Sequence, residues 1–235
     1  MIKIEETKTF GWEAAIRGMR NPMNSWDKSD THESSSYCPS LDHWEGATED
    51  GFYLLVGDDD LNLMRRLCKA GSDHRKFMRM IVVYCDITAP LYWWKEFDTY
   101  KVGTVANSCS TMHKIHAKEF FVSDFSEDHL LMDRPEDKIY NEKGDNIALA
   151  PNELLGLIVA TLNLYRNKYL ETKNKEYWWQ MIQLLPSSYN QKRTVMLNYE
   201  VLKNIYTSRK NHKLDEWHDF CDWIKTLPYS ELITD

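Results

Sequence analysis

One segment of this sequence concentrates residue types that could bind or react with a polar ligand. It is FDTYKVGTVANSCSTMHKIH, residues 97–116, and it follows the apolar run IVVYCDITAPLYWW. Lys101 supplies a cation, Asn107 an amide and Ser110 a hydroxyl, and such groups donate or accept hydrogen bonds from small polar molecules. A ligand site and a surface turn both explain the segment, because small polar residues suit each of them.

The same segment raises two further chemistries, zinc binding and nucleophilic catalysis. His113 and His116 are spaced HxxH, but no motif supplies the further ligands that zinc needs. Cys109 and its serine neighbours lie near these histidines, and a serine-rich turn is the commoner meaning of that pattern. We therefore predict no metal site, and a nucleophile in this segment stays conceivable beside the turn explanation.

The composition is that of a folded, acidic protein. The chain has 235 residues, 43% hydrophobic and 13% aromatic, so it can bury a sizeable core and is too aromatic for a disordered chain. Its formal net charge of −7 argues against a protein that coats nucleic acid, and we expect no nucleic-acid partner. A local basic pocket for a phosphorylated small molecule remains compatible with that charge.

Cysteine usage and hydropathy indicate a soluble, cytoplasmic protein. The cysteines, at positions 38, 68, 85, 109 and 221, are odd in number and include no CxxC pair, which predicts reduced thiols. The N-terminus MIKIEETKTFGWEAA has no apolar signal core, and the longest apolar run, LLGLIVA, is too short to span a bilayer. We expect no membrane partner.

Periodicity predicts both strands and helices in the first half of the chain. IKIEET alternates like a strand, WEAAIRGMR favours a helix, and a polar connection follows over residues 21–50. The aspartates at 58–60 can cap a helix over LNLMRRLCKAG. IVVYCDITAP is apolar and β-branched, which predicts a buried strand that ends near Pro90, and LYWWKEFDTYKV favours a helix after it.

The second half is predicted to be mostly helical. A charged, turn-rich insertion covers about residues 129–150, and Pro151 opens the longest helix, to about Thr172, with the apolar stripe Leu154, Leu155, Ile158, Leu162, Tyr165 and Tyr169. YWWQMIQLLP, NYEVLKNIYTSRKNH and LDEWHDFCDWIKTLP are predicted helices, and SSYNQKRTVML is predicted to be a connection. We expect one α+β domain over residues 1–235, with a central antiparallel or mixed sheet flanked by long helices.

The order of these elements and motifs resembles that of the flavin-dependent thymidylate synthases, the ThyX family, and of its phage-like members in particular. AGSDHRKFMRMIVVYCDITAPLYWW resembles the segment before the family signature, and VANSCSTMH resembles its end, with Asn107 and Ser110 at matching positions. QLLPSSYNQKRTVMLNYEVLKNIYTSRKNH resembles the family's Leu-Pro segment and flavin helix, with Asn198, Asn204 and Arg209 at matching spacings. The resemblance covers most of the chain.

The chain departs from the family pattern at several arginines. The signature begins Arg-His-Arg in the family, where this chain has Thr99, Tyr100 and Lys101, and the arginine expected two places after Asn198 is Glu200. Other expected arginines are replaced by Met112 and by Ile182 or Gln183. Arginine binds phosphate through two parallel hydrogen bonds, so other cations would have to replace it. The chain offers Arg17, Arg20, Lys114, Lys192 and Arg193.

The resemblance implies an enzyme that binds FAD and dUMP in a homotetramer, in sites shared between subunits. Methylenetetrahydrofolate would supply the carbon and NADPH would reduce the flavin, in a bacterial or phage-infected host cytoplasm. The protein would position its ligands without a nucleophile of its own. The resemblance assigns the nucleotide to Asn107, Ser110, Arg209 and His113, and the flavin to Lys101, Asn198, Asn204 and His74.

Structural roles explain the same residues, and three functions stay open. Asn198 is a natural helix N-cap, Arg209 suits a solvated helix face, and Ser110 suits a turn. The chain is a divergent thymidylate synthase, a related flavin or folate enzyme that modifies another pyrimidine nucleotide, for example by hydroxymethylation, or a non-catalytic nucleotide-binding relative. The first is our prediction.

Overall fold

The computed structural model of the chain describes residues 2–34 and 53–235, and its secondary structure is mixed. The helices are α1 Trp12–Arg20, α2 Asp58–Ala70, α3 Leu91–Phe97, α4 Pro151–Thr172, α5 Lys175–Leu184, α6 Tyr199–Arg209, α7 Asp215–Thr226 and α8 Glu231–Thr234. The strands are β1 Lys3–Phe10, β2 His32–Ser34, β3 Tyr53–Leu55, β4 Val82–Pro90, β5 Val105–Ser108 and β6 Asn190–Asn198. The predicted α+β class is confirmed.

These elements form two compact units. The sheet unit comprises residues 2–88, 96–107 and 193–235, and the helical unit comprises residues 89–95 and 108–192. The core of the helical unit is built by α4, α5 and the segment before them, with buried Ile115, Phe120, Phe125, Leu155, Val159, Leu162 and Met181. In the sheet unit the largest buried side chains include Phe97, Tyr199, Trp217 and Phe220.

The main sheet has four strands in the order β1-β4-β6-β5. β1 pairs with β4 in antiparallel register from Lys3 opposite Thr88 to Phe10 opposite Val82, with an irregularity between Glu5 and Lys8. In β4, alternate residues from Val83 to Ile87 are buried, because successive side chains of a strand point to opposite faces. The predicted strand that ends at Pro90 is confirmed.

Strand β6 is absent from the sequence prediction, which made residues 187–197 a connection. The strand buries Val195 and Leu197, while Thr194, directly before them, is exposed. Thr194 Oγ1 donates a hydrogen bond to Asp86 Oδ1 of β4 at 2.7 Å. The prediction failed because the polar residues of one face hide the alternation, and pairing with neighbouring strands supplies the stability that propensity does not.

Strand β5 also replaces a predicted irregular stretch. The helix predicted after Pro90, over LYWWKEFDTYKV, ends earlier, at Phe97. Val105–Ser108 then forms a strand in which every residue is exposed. The turn between them contains Gly103 at φ +80°, a backbone conformation that favours glycine. An exposed edge strand has no hydrophobic signature, so the sequence gives no sign of it.

The polar connection after α1 is anchored at its start. It contains 3₁₀ turns at Asn21–Met23 and Trp26–Lys28 and then β2, while residues 35–50 of the predicted loop lie outside the described residues. Asp30 caps α2, because its carboxylate accepts hydrogen bonds from the backbone N–H groups of Asp59 (2.9 Å) and Asp60 (3.1 Å). The predicted cap residues, 58–60, instead form the first turn of α2.

The predicted charged insertion, residues 129–150, contains no helix or strand. Its backbone makes an isolated bridge between Tyr140 and Asn146. Arg134 contacts Glu153 at the start of α4, at 3.2 Å. Among residues 2–34 and 53–235, no helix is long and apolar enough to cross a membrane.

Candidate functional site

Within the sheet unit, the segment between α3 and β5 lines a shallow groove of about 320 Å³. The groove is lined by Phe97, Asp98, Tyr100, Lys101, Thr104 and Ala106. Lys101 is exposed, as is Asn107 on β5. The groove therefore offers a solvated ammonium group beside a line of small residues.

Arg209 lies in a cluster of polar and aromatic side chains rather than on a bare helix face. Its Nη1 donates to Glu96 Oε2 at 2.7 Å and its Nε donates to the Tyr100 hydroxyl at 2.9 Å. The guanidinium carbon lies 4.8 Å from the ring centroid of Trp217, whose Nε1 donates to the same Glu96 oxygen at 3.0 Å. His212 Nε2 is also 3.3 Å from that oxygen. Glu96 thus holds Arg209 in one orientation, and Nη2 makes no hydrogen bond within the described residues.

Asn198 caps α6, as its position before the helix allows. Its Oδ1 accepts a hydrogen bond from the Val201 backbone N–H at 3.0 Å. Its amide nitrogen approaches the backbone of Gly103 so closely that a Cβ there would lie 2.8 Å from Nδ2. Asn198 therefore links α6 to the turn that carries Lys101, while Asn204 is exposed on the same helix.

Glu200, which stands where the ThyX resemblance expects an arginine, has an internal partner. Arg75 donates to both of its carboxylate oxygens, Nε to Oε2 at 2.8 Å and Nη2 to Oε1 at 3.0 Å. These hydrogen bonds raise the pKa of Arg75 above its usual range, against the effect of burial. Glu200 therefore attaches α6 to the segment before β4.

A larger cleft of about 890 Å³ lies elsewhere in the sheet unit. Its walls come from the end of α1 and the turns after it, from α2, and from the segment before β4. The apolar lining consists of Met19, Pro22, Met23, Leu63, Leu67, Phe77 and Met80. The cations are Lys28, Arg66 and Lys76, with Arg20 in the wall, and His74 lies among the lining residues. The predicted flavin residue His74 is exposed in this cleft.

The cleft has cations that make no ion pair within the described residues, and one buried arginine that is paired. Lys28, Arg66 and Lys76 are exposed, whereas Arg20 is buried and paired with Asp60 at 2.6 Å. Asp59 and Asp73 are the carboxylates of the lining. An apolar surface with several cations at its edge suits an anionic ligand with a flat aromatic part.

The buried carboxylate of Asp60 is fully hydrogen-bonded. It accepts from Arg20 Nε, from Ser29 Oγ at 2.7 Å, and from the Thr31 hydroxyl at 2.7 Å and amide at 3.1 Å. Burial by itself would raise the pKa of Asp60, but the hydrogen bonds from Ser29, Thr31 and Arg20 and the charge of Arg20 lower it. The ionised carboxylate therefore fixes the connection after α1 against α2.

Ser110 and His113 belong to the helical unit, where they form a turn. Ser110 Oγ accepts hydrogen bonds from the backbone N–H groups of His113 at 2.8 Å and Met112 at 3.3 Å. Trp178 Nε1 donates to the Met112 carbonyl at 3.0 Å. Ser110 and the His113 side chain are exposed. Ser110 therefore has the hydrogen bonds of a turn residue, and its hydroxyl donates no hydrogen bond within the described residues.

Within the described residues, the HxxH pair belongs to no metal-binding cluster, and Cys68, Cys85 and Cys221 are buried. His116 is half-buried, and burial followed by the charges of Lys173, Lys114 and Arg166 lowers its pKa. Burial raises the pKa of Cys68 and Cys221 to about 11 and that of Cys85 to about 12. Within the part of the chain that the structure describes, no three His, Cys, Asp or Glu side chains could hold a metal ion together.

The structure thus places six predicted site residues in the sheet unit and two in the helical unit. Lys101, Asn107, Asn198, Asn204, Arg209 and His74 lie in the former, and Ser110 and His113 in the latter. The sequence did not point to Glu96, Trp217 or the cations of the cleft. No local sequence pattern marks Glu96 on α3, because Arg209 and Trp217, which contact it, are more than a hundred positions away along the chain.

Comparison with known proteins identifies the fold. No family model matches the chain, and no curated protein matches it. Solved structures do match over nearly the whole chain: the fold is that of the ThyX flavin-dependent thymidylate synthases.

Two of these structures are ThyX from Helicobacter pylori, each with FAD and dUMP. One has a TM-score of 0.63 and 16% identity and covers 98% of this chain and 97% of its own. The other has a TM-score of 0.62 and 16% identity and covers 100% and 97%. A third, the UMP/dUMP methylase PolB from Streptomyces cacaoi bound with 5-Br dUMP, has a TM-score of 0.57 and 14% identity and covers 100% and 95%. These identities establish the fold; a shared fold hosts many functions.

Proposed function

We propose that this chain is a flavin-dependent enzyme that modifies dUMP, and that it methylates dUMP to dTMP with methylenetetrahydrofolate as the carbon donor. The observation that carries the proposal is the likeness in fold, over 98% of the chain, to a ThyX that binds FAD and dUMP. The order of the signature-like segments along the sequence supports it independently. The proposal treats residues 1–235 as one functional domain.

The large cleft of the sheet unit fits a flavin dinucleotide in size and charge. Its volume of about 890 Å³ falls in the range of sites for cofactors, and its apolar lining suits the flat ring. Lys28, Arg66 and Lys76 have no ion-pair partner within the described residues, so they could hold the two phosphates, and His74 would lie beside them. When bound, FAD would supply the hydride for the reaction, and NADPH would be its reductant.

The remaining flavin and nucleotide residues keep the roles that the resemblance implies. Lys101 would place its charge near the flavin, with Asn198 and Asn204 beside it. Asn107, Ser110 and His113 would hydrogen-bond the nucleotide. Arg209 would donate from Nη2, because Glu96 and Tyr100 occupy its other nitrogens. The protein would act by positioning and electrostatics, as a homotetramer in a bacterial or phage-infected cytoplasm, without a nucleophile.

A second candidate is a related flavin or folate enzyme that modifies another pyrimidine nucleotide, for example by methylation of UMP or by hydroxymethylation. Two observations favour it: the likeness to a UMP/dUMP methylase, and the loss of arginines at the positions where the family has them. Glu200 is one such position, and it is bound to Arg75. A non-catalytic nucleotide-binding relative is the third candidate, and it differs from both in needing no bound flavin.

The visible absorbance spectrum of the purified protein, with and without added FAD and dUMP, separates these candidates. A bound flavin whose spectrum shifts with dUMP is expected. Absence of flavin binding at saturating FAD would remove both enzyme candidates. Mass spectrometry of the nucleotide after incubation with methylenetetrahydrofolate and NADPH then decides the product, with UMP in parallel with dUMP.

A further inference from the structure

Three cations of the helical unit lie around His116 without carboxylate partners. Lys114 and Lys173 are exposed and Arg166 is half-buried, and none of the three forms an ion pair within the described residues. Burial and then the charges of Lys173, Lys114 and Arg166 lower the pKa of His116, so all three cations lie near its ring. We call Lys114, Arg166 and Lys173 the His116 cations.

Direct contacts tie the His116 cations to one place on the helical unit. Arg166 Nε donates to the His116 carbonyl at 3.0 Å. The His116 ring meets the ring of Tyr169 edge-on, with centroids 4.9 Å apart, and Lys173 Nζ lies 5.8 Å from the Tyr169 centroid. The carbonyl of Lys114 accepts the backbone hydrogen bond that closes the turn containing His116. Two segments distant in sequence therefore bring their cations to the same histidine.

The dipole of α4 explains only one of these positions. Lys173 is the C-cap residue of α4, where the partial negative charge of the last carbonyls attracts a cation. That effect falls off within the last turn, so it reaches neither Arg166, about two turns earlier, nor Lys114 on another segment. Glu119 and Glu171, the nearest carboxylates along the chain, form no ion pair with them. Three like charges repel one another, and a ligand with several negative charges removes that repulsion.

The form of the cluster favours carboxylates spaced along a chain. Among the ligands of the proposed reaction, methylenetetrahydrofolate ends in γ-linked glutamates on a flexible backbone, whereas FAD, dUMP and NADPH carry compact phosphates. Separate exposed lysines suit separate carboxylates, because each contact is weak and several together raise the affinity. A compact phosphate suits donors that converge on one point. Lys114 directly follows His113, which our proposal gives to the nucleotide, so the cluster adjoins the nucleotide residues of the same unit.

We propose that Lys114, Arg166 and Lys173 bind the glutamate tail of the folate substrate through its carboxylates. The inference rests on the proposed function, because it needs a folate as the carbon donor. It adds to that function a preference for folates with several glutamates over folates with one. The contacts are electrostatic and exposed, so the preference should weaken as the salt concentration rises.

Isothermal titration calorimetry with free γ-linked pentaglutamate tests the site without flavin, nucleotide or catalysis. We expect binding at low ionic strength that is about tenfold weaker in Lys114→Gln/Lys173→Gln, because charge-assisted contacts are lost. Neither lysine side chain makes a hydrogen bond within the described residues, so the variant should fold like the parent. Lys138→Gln/Lys143→Gln, at exposed lysines of the insertion before α4, is the matched control and should bind like the parent. No binding by the parent, or equal affinity in both double variants, contradicts the proposal.

The folate itself gives the second measurement. With FAD and dUMP present, the pentaglutamate form of tetrahydrofolate should bind about tenfold more tightly than the monoglutamate form, and Lys114→Gln/Lys173→Gln should lose that difference. Equal affinities of the two forms for the parent overturn the inference and leave the proposed reaction standing. No binding of FAD or of either folate, with lysine-dependent binding of free pentaglutamate kept, removes the proposed reaction and leaves an oligocarboxylate site.

Tripolyphosphate is the third probe, since compact phosphates are the other source of multiple negative charge. We expect it to bind the parent more weakly than pentaglutamate at the same ionic strength. Tighter binding of tripolyphosphate, lost in Lys114→Gln/Lys173→Gln, would make the His116 cations a phosphate site and overturn their assignment to the folate tail.

Discussion

Two groups of cations in the sheet unit differ in their contacts. Four arginines each lie within 2.8 Å of a carboxylate: Arg20 with Asp60, Arg75 with Glu200, Arg193 with Asp98 and Arg209 with Glu96. We call these the paired arginines. The unpaired cations, Lys28, Arg66, Lys76 and Lys101, are exposed and form no ion pair within the described residues.

The difference separates arginines that hold elements together from the cations that our proposal assigns to a ligand. The paired arginines join elements distant in sequence, and breaking a buried pair leaves an uncompensated charge. The unpaired cations contribute little to stability, but they remain free to meet an anionic ligand. In this chain, arginines that could have replaced the missing family contacts, Arg20 and Arg193, are already paired. In our proposal, the phosphate groups of FAD are therefore bound by the unpaired cations.

Removal of Asp60 should have the largest effect. Asp60→Ala leaves the buried guanidinium of Arg20 without its partner, so we expect a loss of about 3–5 kcal/mol in the free energy of unfolding. Urea unfolding followed by tryptophan fluorescence measures it. Asp59→Ala, at the exposed neighbour, is the control and should change stability little. A loss below about 1 kcal/mol for Asp60→Ala would show that the Arg20–Asp60 pair contributes little to stability.

The titration of the Asp60 carboxylate should determine part of the loss of stability at low pH. The pKa of Asp60 is lowered from its ordinary 3.8, so its contribution is present above that value and is lost as the pH falls through the folded-state pKa. Asp60→Asn, which removes the titration, should therefore flatten the pH dependence of the unfolding midpoint below about pH 4. Thermal unfolding from pH 7 downward gives the comparison, and equal slopes for parent and variant would count against it.

Arg209→Lys tests a paired arginine that our proposal also gives to the nucleotide. Lysine cannot keep both hydrogen bonds and the stacking on Trp217, so we expect a loss of about 1–2 kcal/mol in stability. The dissociation constant of dUMP should rise about tenfold as well. Arg17→Lys, in an exposed pair with Glu13, is the control. A stability loss with unchanged dUMP affinity would confine Arg209 to a structural role.

Asn198 allows capping and ligand binding to be separated. Asn198→Ala removes the cap of α6 and should cost about 1 kcal/mol, while Asn198→Ser keeps an oxygen for the Val201 amide and should cost less. Both variants lose the amide nitrogen. If Asn198 contacts the flavin, FAD titration should show weaker binding for both variants; weaker binding for Ala alone would mean that the cap is the whole effect.

The unpaired cations should show the smallest change in stability. Lys76→Ala and Arg66→Ala are expected to alter the free energy of unfolding by no more than about 0.5 kcal/mol. Each should nevertheless raise the dissociation constant of FAD about tenfold, because a charge-assisted hydrogen bond is lost. Lys69→Ala, on the same helix as Arg66 but outside the cleft, is the matched control. Equal FAD affinity in all three variants would place the flavin elsewhere.

Local signals in the sequence predicted much of the secondary structure. Pro151 and the apolar spacing after it gave the longest helix its bounds, and the β-branched run before Pro90 gave a strand. These features act over one or two turns and need no distant partner. The α+β class and the ThyX fold followed from their order along the chain.

Pairing between distant segments decided what the sequence missed. Strand β6 is predicted to be a connection and β5 an irregular stretch, because a half-polar strand and an exposed edge strand are stabilised by their neighbours in the sheet. For the site, the sequence named Arg209 and Asn198 by their spacing but not the partners that orient them. Glu96, which contacts Arg209, and Gly103, which contacts Asn198, are each more than ninety residues away along the chain.

Local sequence signals were enough to predict most of the helices, the residues with the chemistry for a nucleotide or a flavin, and the family whose fold the chain shares. The three-dimensional arrangement was needed to show which cations form ion pairs and which stay exposed around a cleft. It also exposed Leu154 on α4, which the sequence pattern assigned to the apolar stripe. The physical reason is the same in each case: propensity and capping are local, whereas burial and charge pairing depend on which segments meet in space.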